Sequence, residues 1–237
     1  MKGISQEGLG DFMVPVRTGL DNRIMTVAGR IDDFGKLGRQ TYELAMETLE
    51  GNNRSNEIQR NREKARKLMS ELSDDLLLIL TLNQPLSKDL RVIASYMRAI
   101  DVLERTVRHA RDVGSAAEDI VGTKILGENL SNDFLSSIRK MYSHIVEIDD
   151  HVFTSMVELI DVDLDLCKDH FEELREVTRK TNEIILELKG KNVGGREGRI
   201  LHLKIINRME RTVYNLIRLC EVWHHAMTTD WVTIEEL

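Results

Sequence analysis

Only two prolines, Pro15 and Pro85, interrupt 237 residues, and that scarcity excludes most β-rich and loop-rich architectures. Turn-dense folds need such punctuation, whereas long helices need its absence. Cysteine is as rare. Cys167 and Cys220 lack the close spacing of a zinc site, and two thiols in this length suit a reducing compartment better than a disulfide framework. Aromatic residues make up 5%, so a core must rest on Leu, Ile, Val and Met. No apolar run reaches membrane-spanning length, the longest strongly apolar one being Leu76 to Leu80. The first residues carry no secretory leader, which predicts a soluble, cytoplasmic protein. A formal net charge of −7 argues against general nucleic-acid binding while leaving a local basic face open.

What the chain does have is a repeat. Glu104-Arg105-Thr106-Val107 recurs as Glu210-Arg211-Thr212-Val213. The flanks follow the same phase: Met97, Ile100 and Leu103 align with Leu203, Ile206 and Met209. Steps of three and four place both copies on long amphipathic helices. A basic echo precedes each copy, Arg62-Glu63-Lys64-Ala65-Arg66-Lys67 in the first half and Arg175-Glu176-Val177-Thr178-Arg179-Lys180 in the second. Order and chemistry persist while the connecting loop varies, as a duplicated helical unit would show.

The expected fold class is all-α, with two tandem antiparallel three-helix bundles. Residues 1–20, rich in glycine, read as an N-terminal arm. The first repeat spans 21–113, with helices from about Asp21 to Glu50, from Ser55 to Leu82 and from Ser87 to Val113. Ile24, Val27, Ile31, Phe34, Leu37, Tyr42, Leu44 and Leu49 form the inner side of the first, whose three internal glycines count against a straight helix. Residues 114–131 read as a linker, 132–227 as the second repeat and 228–237 as a tail. Long exposed helical stripes predict a homodimer.

No catalytic arrangement emerges. The glycine-bearing stretch from Gly190 to Gly198 lacks P-loop spacing and follows a helix instead of a strand. Asp161, Asp163 and Asp165 mimic the first acids of a calcium loop, and Glu172 sits at its closing position. The required central glycine is Leu166, so the cluster reads as a turn and helix cap. His224 and His225 point about 100° apart on a helix and cannot share an ordinary metal site.

From about residue 20 to 227 the chain resembles the PhoU family of phosphate-transport regulators, including the duplicated three-helix plan. Gln84-Pro85-Leu86-Ser87-Lys88-Asp89-Leu90-Arg91 looks like that family's Gln-Pro-x-Ala-x-Asp-Leu-Arg, with Ser87 in place of alanine. Leu103-Glu104-Arg105 and Met209-Glu210-Arg211 look like the start of its Leu-Glu-Arg-Ile-Gly-Asp signature. The resemblance implies a cytoplasmic adaptor rather than an enzyme. Its implied partners are the ATPase subunit of a phosphate ABC transporter and a sensor kinase, with membrane association only through them. Gln84, Pro85, Asp89, Arg91, Glu104, Arg105, Glu210 and Arg211 carry the signature or a contact surface.

Family members bind iron or zinc through acidic motifs, and here the chain departs from the pattern. The signature aspartate positions are Arg108 and Tyr214, and the earlier acidic motif falls on Arg62 and Arg66, echoed by Arg175 and Arg179. A guanidinium in place of a carboxylate removes an oxygen ligand and repels a dication. The expectation is no metal cofactor, with Glu104 and Glu210 instead paired to arginines of the neighbouring helix: Arg62, Arg66, Arg108, Arg175 and Arg179 are the candidates. Two alternatives stand beside the adaptor: a metal-binding bundle that stores or senses iron or zinc, and an accessory module of another ion-transport system.

Overall fold

The computed structural model describes residues 14–122, 128–187 and 194–234. Six helices fill them: α1 (Val14–Leu49), α2 (Ser55–Asn83), α3 (Ser87–Gly122), α4 (Glu128–Glu158), α5 (Leu164–Glu187) and α6 (Gly195–Thr228). Among the described residues there is no strand, and no helix is long and apolar enough to cross a membrane. Helices α1, α2 and α3 pack on one another, as do α4, α5 and α6. The two bundles join where α3 meets α6 and α1 meets α4. One connected core of buried side chains runs through both, from Leu20 to Ile234.

The apolar period dictates this packing. Ile24, Val27, Ile31, Phe34 and Leu37 are all buried along α1, as are Leu72, Leu76 and Ile79 along α2. The apolar run Leu76 to Leu80 is split by the helix: Leu76 and Ile79 enter the core while Leu77 and Leu78 face outward. Helix α2 ends on Gln84, whose left-handed backbone (φ 44°) turns the chain before Pro85. The Asp89 carboxylate accepts the Leu86 backbone N–H at 3.3 Å and so caps the start of α3.

Glycine in α1 answers to packing, not to flexibility. A Cβ at Gly38 would stand 3.2 Å from Thr106 Cγ2 of α3, and one at Gly35 would stand 3.2 Å from Phe153 Cδ2 of α4. The missing side chains let α1 approach both neighbours and stay continuous. Gly29 faces open space.

Several boundaries differ from the sequence reading. Helix α1 starts at Val14, ahead of Asp21, with Pro15 in a first turn that has no helical partner for its missing N–H. Of the expected arm 1–20, residues 1–13 lie outside the described residues. Helix α3 does not stop at Val113 but runs through Gly114 to Gly122, and α4 begins at Glu128. Only 123–127 of the expected linker 114–131 lies between them, also outside the described residues. Gly114 is needed for contact: a Cβ there would stand 2.6 Å from Ile58 Cδ1 and 3.6 Å from Ala45 Cβ. The glycine-rich stretch ahead of α6 falls partly on 188–193, again outside them. Past Thr228 the tail folds back, and the buried Ile234 donates its N–H to Glu221 Oε1 at 2.8 Å.

Two substitutions separate packing glycines from the free one. Gly29→Ala should stabilise by about 0.5–1 kcal/mol through helix propensity, while Gly38→Leu should destabilise by about 1–3 kcal/mol through overpacking. Urea unfolding midpoints check both, and equal effects at the two sites would contradict the close approach of α1 to α3.

Candidate functional site

Helices α2 and α3 bring the first-half signature together. Arg62 points from α2 into the bundle, and its Nη2 forms an ion pair with Glu104 Oε1 on α3. Both groups are largely removed from water, Arg62 being 4% exposed. The guanidinium Nε and Nη1 are buried without a hydrogen-bond partner. This arrangement fails as a dication site. The carboxylate that would be a metal ligand is held by a cation, and the neighbouring position offers another guanidinium, Arg66, not an oxygen. Arg66 itself is exposed and meets no carboxylate within ion-pair distance among the described residues.

The second half does not repeat the pair. Glu210 is half-buried and has no cation within ion-pair distance among the described residues. Burial pushes its carboxyl upward, with Arg175 and Arg211 pulling it back. The Arg175 guanidinium instead lies over the Phe171 ring, 5.7 Å from its centroid. Arg179 pairs along its own helix with Glu176 and Glu183, at 2.8 Å and 2.6 Å. Arg108 meets no carboxylate among the described residues and lines a cleft between α3 and α6 together with Arg105 and Arg211. Of the five arginines expected to pair with the signature glutamates, Arg62 does so and Arg66, Arg108, Arg175 and Arg179 do not. The physical reason is register: Phe171 and the α5 carboxylates capture the second-half arginines before Glu210 can.

Two further signature residues, Arg91 and Arg105, have structural partners. Arg91 Nε donates to the Ala226 carbonyl at 3.2 Å, tying the start of α3 to the end of α6. Arg105 turns to Asp101 on its own helix at 3.2 Å. Asp163 accepts the Leu166 N–H at 3.1 Å as a helix cap, and His224 contacts Asp161 at 3.0 Å while His225 stacks on Trp231.

Three arrangements have no local sequence signal. At the junction of the bundles, the Thr212 hydroxyl lies 2.6 Å from the Tyr42 hydroxyl and 3.0 Å from His109 Nδ1, all three residues buried. Burial, with Arg208 and Arg108 nearby, pushes His109 down to about 4. Between α1 and α4, Arg39 pairs with the fully buried Asp149, whose carboxyl burial drives up to about 7 against the pull of that arginine. Cys167 and Cys220, far apart in sequence, meet across α5 and α6 with Sγ atoms 3.4 Å apart, both as free thiols. Among the described residues no group of three His, Cys, Asp or Glu side chains is placed to hold a metal ion.

Comparison with known proteins returns one family. Residues 31–117 match the PhoU domain. The crystal structure of PhoU from Pseudomonas aeruginosa superposes with a TM-score of 0.78 at 12% identity, covering 89% of this chain and 99% of that one. The phosphate transport system regulatory protein PhoU from Streptococcus pneumoniae superposes with a TM-score of 0.74 at 17% identity, covering 90% and 99%. No curated protein matches. The sequence match ends within α3, so the second bundle shares the fold of these proteins without a sequence match of its own.

Glu104→Gln strands a buried guanidinium and should destabilise by about 3 kcal/mol. A smaller loss in the double variant with Arg62→Met than the sum of the single variants would identify the pair in thermal unfolding. His109 should stay neutral well below its ordinary pKa. Since its folded pKa is depressed, its contribution is fully present above about 6.5 and is lost as pH falls toward about 4. An imidazole NMR titration checks this, and a midpoint near 6.5 would contradict the buried junction.

Proposed function

Because residues 31–117 match the PhoU domain and the described chain shares the fold of the PhoU structures, we propose that this PhoU-like protein regulates phosphate uptake as a cytoplasmic adaptor. It acts by docking to the ATPase subunit of a phosphate transporter, not by catalysis. The observation that carries this reading is an uncovered apolar stripe around the Gln84-Pro85 turn. Leu78, Leu82, Leu86 and Leu90 are 50%, 60%, 66% and 45% exposed, and Leu77 adjoins them at 54%. Leu78 and Leu82 lie one turn apart on α2, Leu86 sits in the connecting turn and Leu90 in the first turn of α3, so together they form one apolar ridge. Such a ridge of adjoining exposed leucines marks a contact site for another protein. It lies inside the matched PhoU domain and on the residues that carry its signature.

The Arg62–Glu104 pair supports a metal-free adaptor over a metal-storing bundle, since a guanidinium occupies the carboxylate that a metal would need. The adaptor therefore transmits state through contact geometry, with no metal cluster as the intermediary.

Leu82→Glu and Leu86→Glu place charge on the ridge without touching the core. Each should lower capture of the transporter's ATPase subunit by about tenfold or more with melting unchanged. Undiminished capture would refute the docking surface. Elemental analysis of protein purified without tag or chelator should give iron and zinc far below one ion per chain; stoichiometric metal would refute the metal-free reading.

A further inference from the structure

Between α3 and α6, beside the junction of the bundles, a cleft of about 680 Å3 opens. Arg105, Arg108 and Arg111 line it from α3 and Arg208 and Arg211 from α6. Spacing by three sets each group along one helix stripe. Five guanidinium groups face one carboxylate, Asp112, in a chain whose net charge is −7. That carboxylate is already committed, its Oδ1 lying 2.5 Å from Arg111 and its Oδ2 3.0 Å from Arg208 Nε. The Arg208 Nε–H is buried and not aimed at it as a hydrogen bond. Arg108 and Arg211 meet no carboxylate within ion-pair distance among the described residues.

Guanidinium groups gathered this closely repel one another, and with Asp112 among them and Asp101 beside Arg105 a surplus of three positive charges remains. The floor beneath them is hydrogen-bonded. His109 is buried and locked to Thr212, which is locked in turn to Tyr42.

We propose that this cleft binds a small polyanion bearing two or three adjacent phosphoryl groups, of the pyrophosphate or tripolyphosphate class. The planar guanidinium fork matches two phosphoryl oxygens at once, and several forks on two helices can grip successive phosphoryl groups. A triply or more highly charged anion matches the surplus, which a single orthophosphate or sulfate leaves partly unmet. Tyr214, at the rim, is held edge-to-face on Phe171 at 5.1 Å, so a stacked nucleobase is not what the cleft is built around. The proposal stands on the cleft alone and does not depend on the docking surface around Gln84.

Calorimetric titration of the full chain at about 0.1 M salt, where weak surface attraction is screened, tests it. Tripolyphosphate and pyrophosphate should bind one to one, at least about tenfold tighter than orthophosphate or sulfate. Arg108→Ala and Arg211→Ala break no ion pair, and each should weaken tripolyphosphate binding by about tenfold. Arg179→Ala, an exposed arginine on α5, should leave it unchanged. In the unsubstituted protein, tripolyphosphate should shift the His109 imidazole resonances, which locates the anion even where a variant folds poorly. Absence of binding at millimolar tripolyphosphate overturns the proposal. So does sulfate of equal affinity, which signals unspecific charge pairing. Citrate of equal affinity overturns the phosphoryl class, and binding that leaves His109 unshifted places the anion elsewhere.

Discussion

The Thr212 hydroxyl fastens the two bundles to each other through hydrogen bonds, because Tyr42 of α1 and His109 of α3 both converge on it from the other repeat. Hydrophobic contact alone would let α6 slide against α3 at small cost; a buried polar cluster does not. Any displacement leaves a hydroxyl or imidazole unpaired in the core, at about 1–3 kcal/mol for each group. The register of α6 on α1 and α3 is therefore set by chemistry, and the clefts and ridges on either side inherit it. Arg39 and Asp149 perform the corresponding task between α1 and α4, with Gly35 admitting Phe153 next to them.

The duplicated threonines show how one sequence unit came to serve two purposes. Thr106 and Thr212 each donate to the carbonyl four residues earlier, the same local bond in the same phase. Beyond that they diverge. Thr106 packs on Gly38 within its own bundle, whereas Thr212 reaches across to the other. Glu104 and Glu210 diverge likewise: one is sealed by Arg62, the other left half-buried without an ion pair. The repeat is exact in local geometry and unequal in tertiary use.

That inequality explains how far the sequence could be read. The six helices, their inner faces and the duplicated plan follow from a period that each helix carries by itself. Glycine misleads at Gly114, where a residue that ordinarily ends helices instead admits Ile58 from another helix. No local pattern distinguishes those two uses. Pairing of Arg62 with Glu104 was legible because α2 and α3 are adjacent and the residues swapped sign relative to the family pattern. The fates of Arg175 and Arg179 were not, because Phe171, Glu176 and Glu183 compete for them on α5 itself. Contacts between Cys167 and Cys220, or between Tyr42 and Thr212, depend on how the bundles meet, and neither half alone encodes that.

Helix α3 spans 36 residues from Ser87 to Gly122, about 54 Å at the ordinary rise, and contains no proline. Its first turn belongs to the leucine ridge and its middle holds Glu104 and the arginines of the cleft. Near its far end, Glu118 accepts from Asn53 in the α1–α2 turn and from Ser55 at the start of α2. These places are stations on a single shaft without a joint. The ridge, the cleft and the α1–α2 turn are thus carried on one unbroken rod, fastened to α6 near its middle by the Thr212 clasp.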